Sequence, residues 1–354
     1  MNELIPTFEF QKVIIDTWTN GPFEVYGWGW RALMGFLVIT ACGLVGNYLI
    51  LRRMALIGDA ISHSVLAGIV VVFLITHSLD TLPMMLGALA AGLVTVGLIE
   101  FIHKKSRVKQ DAAIGIAFTS LFAFGVILIH TQMQGTHFDA NCVLYGDLMG
   151  VGQSLASVEL PPLLTDQLRA TGLTDETVLR GNEMFIAPSQ VLRMAAVTLG
   201  VIVLMRLFYK ELLVSSFDPA LAVSLGINAT AIHLGLMSVL SIVVVSSFDA
   251  VGVILVIAML ILPGATGHLL SQRLPVILWI SVAFALISSV LGVHFARWID
   301  CNIAAAMVVV GAGLFILAWL VSPHDGPLAK WRAQKVSHNP ELGDLAEDEK
   351  LPVS

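Results

Sequence analysis

The sequence predicts an all-α polytopic membrane protein, on two observations. Its 354 residues are 57% hydrophobic and only 12% charged, whereas a soluble domain carries about 25% charged residues. Apolar segments long enough to cross a bilayer as helices recur along most of the chain. We therefore expect a helical bundle in lipid, with few ionisable side chains inside it.

The first 30 residues predict an interfacial segment that lies on the membrane. Phe10, Val13 and Trp18 recur at near-helical spacing, which favours a helix with one apolar face. Trp28 and Trp30 follow and suit an aromatic belt at the membrane surface. We expect the first membrane span to begin after them.

Nine apolar segments of spanning length come next. Two of them lie within 229–271, where only a few residues around Asp249 separate one span from the other. The predicted spans are about 33–51, 56–76, 84–103, 111–130, 189–209, 229–248, 251–271, 276–295 and 301–321.

Two polar segments complete the predicted organisation. Residues 131–188 form an extracytoplasmic insertion, with polar helical fragments predicted near 163–170 and 174–184. Residues 322–354 have the acidic composition of a disordered cytoplasmic tail. The predicted units are an interfacial segment 1–30, a transmembrane domain 31–321 that contains the insertion, and the tail 322–354.

The basic residues predict which ends of the spans face the cytoplasm. If the first span enters from outside, thirteen of the nineteen Lys and Arg residues fall on the cytoplasmic side, as the positive-inside rule requires. An odd number of spans then places the N-terminus outside and the C-terminus in the cytoplasm. The chain is expected in a plasma or inner membrane.

Asp59 and His63 lie four residues apart inside the second predicted span. On a helix they project from one face, one turn apart. A rise of ~1.5 Å per residue from Arg53 places them ~9 Å and ~15 Å into a core ~30 Å thick. Ionisable groups at such depth mark a pathway or a ligand site, and a carboxylate with an imidazole suits zinc, manganese or iron(II). The alternative is a polar pair that only satisfies a neighbouring helix.

Three further polar residues are candidates for the same pathway. Asn47 precedes Arg53 by as many residues as Asp59 follows it, so the two reach similar depth in an antiparallel helix pair. A simple interhelical hydrogen bond is the alternative for Asn47. Asp249 lies near the outside end of a span and suits a gate. His268 lies near the inside end, where it is either an exit ligand or a packed imidazole.

The segment 209–227 predicts a short amphipathic helix between two spans on the cytoplasmic side. Ser216 or Asp218 can cap its start. Pro219 suits its first position, and Gly226 its end. Such a helix is either a docking surface for a partner or an ordinary interfacial helix.

The signatures of several other protein classes are absent from the sequence. It contains no GxxxxGK[ST] loop, no GxGxxG fingerprint, no HExxH and no GxSxG. Basic residues are not gathered with aromatic residues on one face, which argues against a nucleic-acid partner. We therefore expect a chain that is not itself an enzyme and that carries no ATP site.

Three motifs, in order, resemble those of the metal-ion ABC transporter permeases that import zinc, manganese or iron. They are LRRMALIGDAISHSVLAG, FDPALAVSLGI from Phe217, and VGVILVIAMLILPGATG from Val251. The resemblance covers roughly residues 30–321. The chain departs from the family pattern at Ala67, where proline is usual, and in an insertion at 157–187.

The resemblance implies a bundle of the cobalamin-importer type in which Asp59 and His63 coordinate the transported ion. The metal is then a substrate rather than a permanently bound cofactor. The implied partners are an ATP-binding subunit, an extracytoplasmic metal-binding protein and a second permease, either an identical copy or a paralogue. The residues implied to couple to the ATP-binding subunit are Phe217, Asp218, Pro219, Ala222, Leu225 and Gly226.

Two other functions remain compatible with the residues. An ion-coupled secondary transporter would use the same buried acid, but it has no reason to carry FDPALAVSLGI. An ABC permease for a larger metal chelate would share the architecture without needing Asp59 and His63 on one face. The metal also stays open, because this ligand pair accepts zinc, manganese and iron(II).

Overall fold

The structure of the protein is a computed structural model that describes residues 9–19, 27–54, 56–77, 81–132, 146, 148, 150–151, 155–159, 179–180, 183–322 and 326–327. Within these ranges the chain is a bundle of long helices with one small sheet. The predicted fragment 163–170 and all but the first residues of the predicted tail lie outside the described residues.

Most of the helices follow one another with short connections, but the sheet lies between α5 and α6. A π-helix, Gln11–Ile15, leads into α1, Asp16–Thr19. The others are α2 (Trp28–Leu51), α3 (Leu56–Thr76), α4 (Thr81–Lys105), α5 (Gln110–Gln132), α6 (Ser189–Leu207), α7 (Tyr209–Phe217), α8 (Pro219–Ser224), α9 (Ala229–Val251), α10 (Val253–Leu270), α11 (Leu274–Ile299) and α12 (Ile303–Val321).

Eight of these helices are long and apolar enough to span a membrane, and α10 adds a shorter apolar stretch, Leu255–Leu270. Each of the nine predicted spans corresponds to one of them, with ends that agree within five residues. The predicted fold class, an all-α polytopic membrane protein, is confirmed.

The helix α2 forms the centre of the bundle. Every residue from Val38 to Leu49 is buried, so the middle of this helix is enclosed on all sides rather than along one stripe. It packs against α6, α9, α10 and α11. The next helix, α3, packs mainly against α4 and α5 and also touches α9 and α10. The helices α3–α5 therefore form one side of the bundle.

The predicted start of the first span, at about residue 33, was five residues too late, because the helix α2 begins at Trp28. Trp28 and Trp30 therefore lie in its first turn. The guanidinium carbons of Arg31 and Arg297 lie 4.7 and 5.5 Å from the centre of the Trp28 ring. These cation–π contacts hold the first turn against the end of α11.

The prediction of a polar helical fragment over 174–184 was also wrong. Leu179–Arg180 (β2) and Glu183–Pro188 (β3) are strands, and β3 lies between β2 and β1, Leu155–Glu159, in an antiparallel sheet. Valine, phenylalanine and isoleucine in β1 and β3 favour strands. One strand that pairs with β3 is β1, which lies much earlier in the sequence. The polarity of residues 174–184 alone therefore could not predict this pairing.

The N-terminal helical segment is tied to the end of α11 by polar groups. The His294 Nδ1 atom donates to the Val13 carbonyl oxygen at 2.8 Å, because a carbonyl can only accept. Its Nε2 atom accepts from Trp18 Nε1 at 3.1 Å. Arg297 donates to the Thr17 hydroxyl at 2.6 Å. The segment is therefore anchored to the bundle through its side chains and backbone.

Glycines allow two pairs of helices to touch through their backbones. A Cβ on Gly46 of α2 would overlap the Leu260 carbonyl oxygen of α10, and a Cβ on Gly68 of α3 would overlap the Gly87 carbonyl oxygen of α4. Backbone atoms cannot move aside unless the helices separate, so these contacts fix the interhelical distances. By contrast, a Cβ on Gly97 of α4 would meet no atom within 4 Å.

We predict that Gly46→Ala destabilises the protein, whereas Gly97→Ala does not. The first change forces α2 away from α10, at the ~1–3 kcal/mol that overpacking costs. The second adds a methyl group in open space and favours the helix by up to ~1 kcal/mol. Thermal unfolding of the two purified variants in detergent measures the difference. Equal melting temperatures would mean that the contact with Leu260 does not limit the packing.

Candidate metal site

Asp59 and His63 lie on one face of α3, in its first two turns. The His63 Nε2 atom is 3.2 Å from Asp59 Oδ1, and each side chain is 31% exposed. The residues between and beside them, among them Ala60, Ile61 and Ser62, are buried. The pair therefore occupies a partly open strip on a helix that is otherwise packed on protein.

The spacing of the two atoms suits one metal ion. At ~2.1 Å from both atoms, an ion would see the 3.2 Å pair at an angle of ~100°, close to the angles of octahedral and tetrahedral sites. The imidazole must then be neutral, with its proton on Nδ1 and Nε2 directed at the metal. No group of three or more His, Cys, Asp and Glu side chains lies together within the described residues. Alone, the pair could therefore offer two ligand atoms to such an ion.

Two phenylalanines of α5 enclose the His63 ring. Phe118 stacks on it with centroids 5.8 Å apart, and Phe122 meets it edge-on at 5.7 Å. Gly125 lets α5 approach this closely, since a Cβ there would lie only 3.0 Å from the Ala67 backbone. The aromatic rings restrict rotation of the imidazole. Sequence reasoning missed both phenylalanines, although their i, i+4 spacing on a predicted span was visible.

Asn47 and His268 meet between α2, α10 and α11. Asn47 Nδ2 donates to the Gly43 carbonyl at 2.7 Å and to Ser281 Oγ at 2.9 Å. His268 lies against the Asn47 backbone, and its Nε2 is buried with no hydrogen-bond partner among the described residues. The contacts of Asn47 are those of an interhelical hydrogen bond. Asp249 lies in the last turn of α9, and its side chain is outside what the structure describes.

The segment that follows α6 contains the predicted short helix, now α8. Asp218 is its N-cap, and the Oδ1 atom accepts from the backbone N–H groups of Ala220 at 2.9 Å and Leu221 at 3.0 Å. Pro219 is its first residue. Gly226, with φ at +79°, turns the chain after it. The predicted capping and stop residues of this helix are therefore confirmed.

Large apolar side chains are exposed on and around α8. Phe217 is 64% exposed, Val223 64% and Leu225 61%, while Ala222 is fully buried against the bundle. The exposed Asp218 adds a polar group at the edge of this apolar patch. An exposed apolar patch of this kind marks an interaction surface.

Arg52 connects this part of the chain to the start of α3. Its Nη2 atom donates to Ser215 Oγ at 2.8 Å and its Nε atom to Ser216 Oγ at 3.0 Å, both on α7. Its Nη1 atom is 3.2 Å from Nδ1 of His233 on α9. Arginine only donates, so Nδ1 accepts and the His233 proton lies on Nε2. Burial lowers the pKa of Arg52, although arginine stays charged in proteins.

The network continues from His233 to α4. His233 Nε2 donates to Glu100 Oε1 at 2.8 Å, and Glu100 Oε2 pairs with Lys104 Nζ at 2.8 Å. Four helices, α2, α4, α7 and α9, are therefore joined at one end of the bundle. Sequence reasoning counted Arg52 only among the basic residues that predict the orientation, and it missed His233. The sequence did contain a signal for this network, because Arg52, Glu100 and His233 lie near those ends of three predicted spans that face the same side of the membrane.

Proteins with similar sequences are named as membrane components of metal transport systems. The manganese transport system membrane protein MntD of Bacillus subtilis is 40% identical over 301 residues, which cover 85% of this chain and 94% of MntD. The zinc transport system membrane protein TroD of Treponema pallidum is 37% identical over 294 residues, or 83% of this chain and 74% of TroD.

The fold is also similar to a solved structure, PsaBC from Streptococcus pneumoniae in complex with Fab. The TM-score is 0.68 at 26% sequence identity, and the match covers 92% of this chain and 100% of that one. The ABC 3 transport family matches residues 28–159 and 166–322, which is most of the chain and includes the three motifs. The resemblance that these motifs indicated is therefore confirmed, and the chain belongs to the ABC 3 transport family.

Proposed function

We propose that this chain is the permease subunit of an ABC importer that carries zinc, manganese or iron into the cytoplasm, while a separate subunit hydrolyses ATP. The observation that carries the proposal is the Asp59–His63 pair, two metal-ligating atoms held 3.2 Å apart inside a membrane span. The family membership and the names of the relatives support the same function. The metal is cargo in this proposal, not a resident cofactor.

The exposure of the pair points to what covers it. A carboxylate that faces hydrocarbon is costly, yet Asp59 and His63 are each 31% exposed in the single chain. In the membrane this face must therefore line a water-filled path or meet another protein chain. We assign it to the interface with a second permease, an identical copy or a paralogue. Two such pairs that face each other would supply four ligands to one ion.

The two side chains have different tasks in transport. The Asp59 carboxylate offsets the cost of bringing a divalent cation into the apolar layer. The His63 nitrogen favours borderline transition metals over magnesium and calcium, which prefer oxygen ligands. An extracytoplasmic metal-binding protein would deliver the ion from the side of the N-terminus. The C-terminus lies in the cytoplasm in this orientation, as the distribution of basic residues favours.

The energy for transport reaches the chain by contact. The exposed Phe217, Val223 and Leu225 around α8 suit a groove on the ATP-binding subunit. Arg52 holds Ser215 and Ser216, just before α8, and it lies only a few residues before the start of α3 at Leu56. A displacement of α8 is then passed through Arg52 to the helix that carries the metal ligands.

Replacing Asp59 by Asn should abolish metal uptake. The amide keeps the size of the side chain but removes the negative charge. Loss of a group that only hydrogen-bonds to a metal ligand already costs ~10–100-fold, so loss of the ligand's own charge should lower uptake by more than ~100-fold. Uptake of radioactive manganese and zinc by proteoliposomes that contain the whole importer measures this. Asp111→Asn, at the exposed start of α5, is the matched control. Normal uptake by an assembled Asp59→Asn importer would refute the site.

Replacing His63 by Asp should change which metal is preferred. An oxygen ligand in place of the imidazole favours manganese over zinc. We expect the zinc-to-manganese uptake ratio to fall about tenfold, which is the smaller end of the ~10–100-fold changes seen when the groups around a metal are altered. Competition between the two metals in the same proteoliposomes gives the ratio directly. A ratio that stays constant while both rates fall would assign His63 a structural role instead.

Replacing Arg52 by Gln should uncouple ATP hydrolysis from transport. The variant loses the charged contacts to Ser215, Ser216 and His233, whereas the docking surface around α8 is unchanged. The ATP-binding subunit should still bind, but the metal moved per ATP hydrolysed should fall several-fold. Arg53→Gln, the exposed neighbour, is the control and should leave this ratio unchanged. An equal loss in both variants would show that only the basic charge at this end matters.

A further inference from the structure

A cavity of about 570 Å³ opens on the membrane-spanning surface between α2, α6 and α11. Its walls are mostly apolar and include Leu37, Ile202 and Trp279. Its volume lies in the range of ~300–1,000 Å³ typical of small-molecule sites. Neither Asp59 nor His63 lines it, and it plays no part in the transport mechanism described above.

The cavity opens on an apolar surface whose composition suits contact with lipid. Trp279 and Ile202, which line it, are 72% and 41% exposed. Both flanking helices, α6 and α11, are of membrane-spanning length and composition. The face with Asp59 and His63 is elsewhere, because α3 packs on α4, α5, α9 and α10.

One end of the cavity is positively charged. Arg206, in the last turn of α6, and Tyr209 line this end, and Arg206 is exposed, with no ion-pair partner among the described residues. Lys210 and Arg273 are also exposed, and each lies within two residues of a lining residue. The acid next to Lys210, Glu211, has its Oε2 atom buried in the protein. The mouth therefore presents cationic side chains where the apolar wall ends.

We propose that this groove binds an anionic phospholipid, with one acyl chain along the apolar wall and the phosphate against Arg206 and the Tyr209 hydroxyl. Basic pockets between transmembrane helices are recognised sites for anionic head groups, and long basic side chains reach from a helix end to the membrane surface. An apolar helix of a second copy in the groove would leave Arg206 without a counter-charge, whereas a phosphate supplies one. That the lipid belongs to the cytoplasmic leaflet rests on the orientation in the proposed function.

The test measures lipid retained by the purified permease without metal, ATP or partner subunits, so its outcome is independent of transport. The full-length chain is reconstituted in vesicles of equal phosphatidylglycerol and phosphatidylcholine and re-extracted in detergent, and the lipid that stays bound per chain is quantified by mass spectrometry. The wild-type protein should retain phosphatidylglycerol preferentially. Arg206→Gln should reduce this preference about fivefold, since one basic residue near a membrane surface contributes ~1 kcal/mol. Arg206→Lys should restore part of the preference.

Matched variants separate the groove from the surface at large. Ile202→Trp fills the cavity from a lining position that is 41% exposed and should lower the lipid retained, whereas Leu199→Trp, on the same helix but outside the lining, should not. Arg107→Gln removes an exposed charge elsewhere and should leave the preference intact. Thermal unfolding checks that each variant is folded.

Three results would overturn the proposal. One is equal retention of the two phospholipids by the wild-type protein. Another is equal lipid loss in Ile202→Trp and Leu199→Trp. The third is a change in the ratio of monomer to dimer in Ile202→Trp at unchanged lipid content, which would make the groove an interface between copies.

Discussion

The electrostatic cost of a carboxylate inside an apolar span is the constraint on which the other features of this protein depend. Asp59 lies near the start of a helix of membrane-spanning length and composition, beside buried residues, and hydrocarbon does not readily accept a carboxylate. The strip around it therefore has to be wet, protein-covered or occupied by a cation. The stacked rings of Phe118 and Phe122 add a dry wall on one side, where the pair interacts more strongly than it would in water.

The second constraint is the polar network that joins four helices at one end of the bundle. The charged network around Arg52 is partly buried, and each of its members has a defined partner: the hydroxyls of Ser215 and Ser216, His233 and Glu100. A buried ionic network contributes little net stability, but losing one member is expensive. Such a network favours a single arrangement of the helices it joins. It connects α7, which leads into α8, with the turn that precedes α3.

The sequence was sufficient to predict the spans and the Asp59–His63 face, because long apolar runs and a helical repeat of 3.6 are local properties. It was also sufficient for α8, where Asp218, Pro219 and Gly226 occupy positions with a clear backbone meaning. The antiparallel sheet at 155–188 was missed because strand pairing joins distant residues. The start of α2 was misplaced because Trp28 is held by Arg297 from the far end of the chain. His233 and Phe118 were missed for the same reason, since their roles exist only through neighbours on other helices.

The backbone contact of Gly46 with Leu260 has a consequence for how the molecule changes shape. Two helices whose main chains touch cannot slide without first parting, so α2 and α10 behave as one rigid body. Asn47 joins α11 to the same body through Ser281, and α12 packs on α10 and α11. The helices α3–α5 are attached to it at the corner where Arg53 adopts a left-handed conformation, with φ at +57°. A displacement of α3–α5 against this body would therefore move Asp59 and His63 together, because both lie on α3.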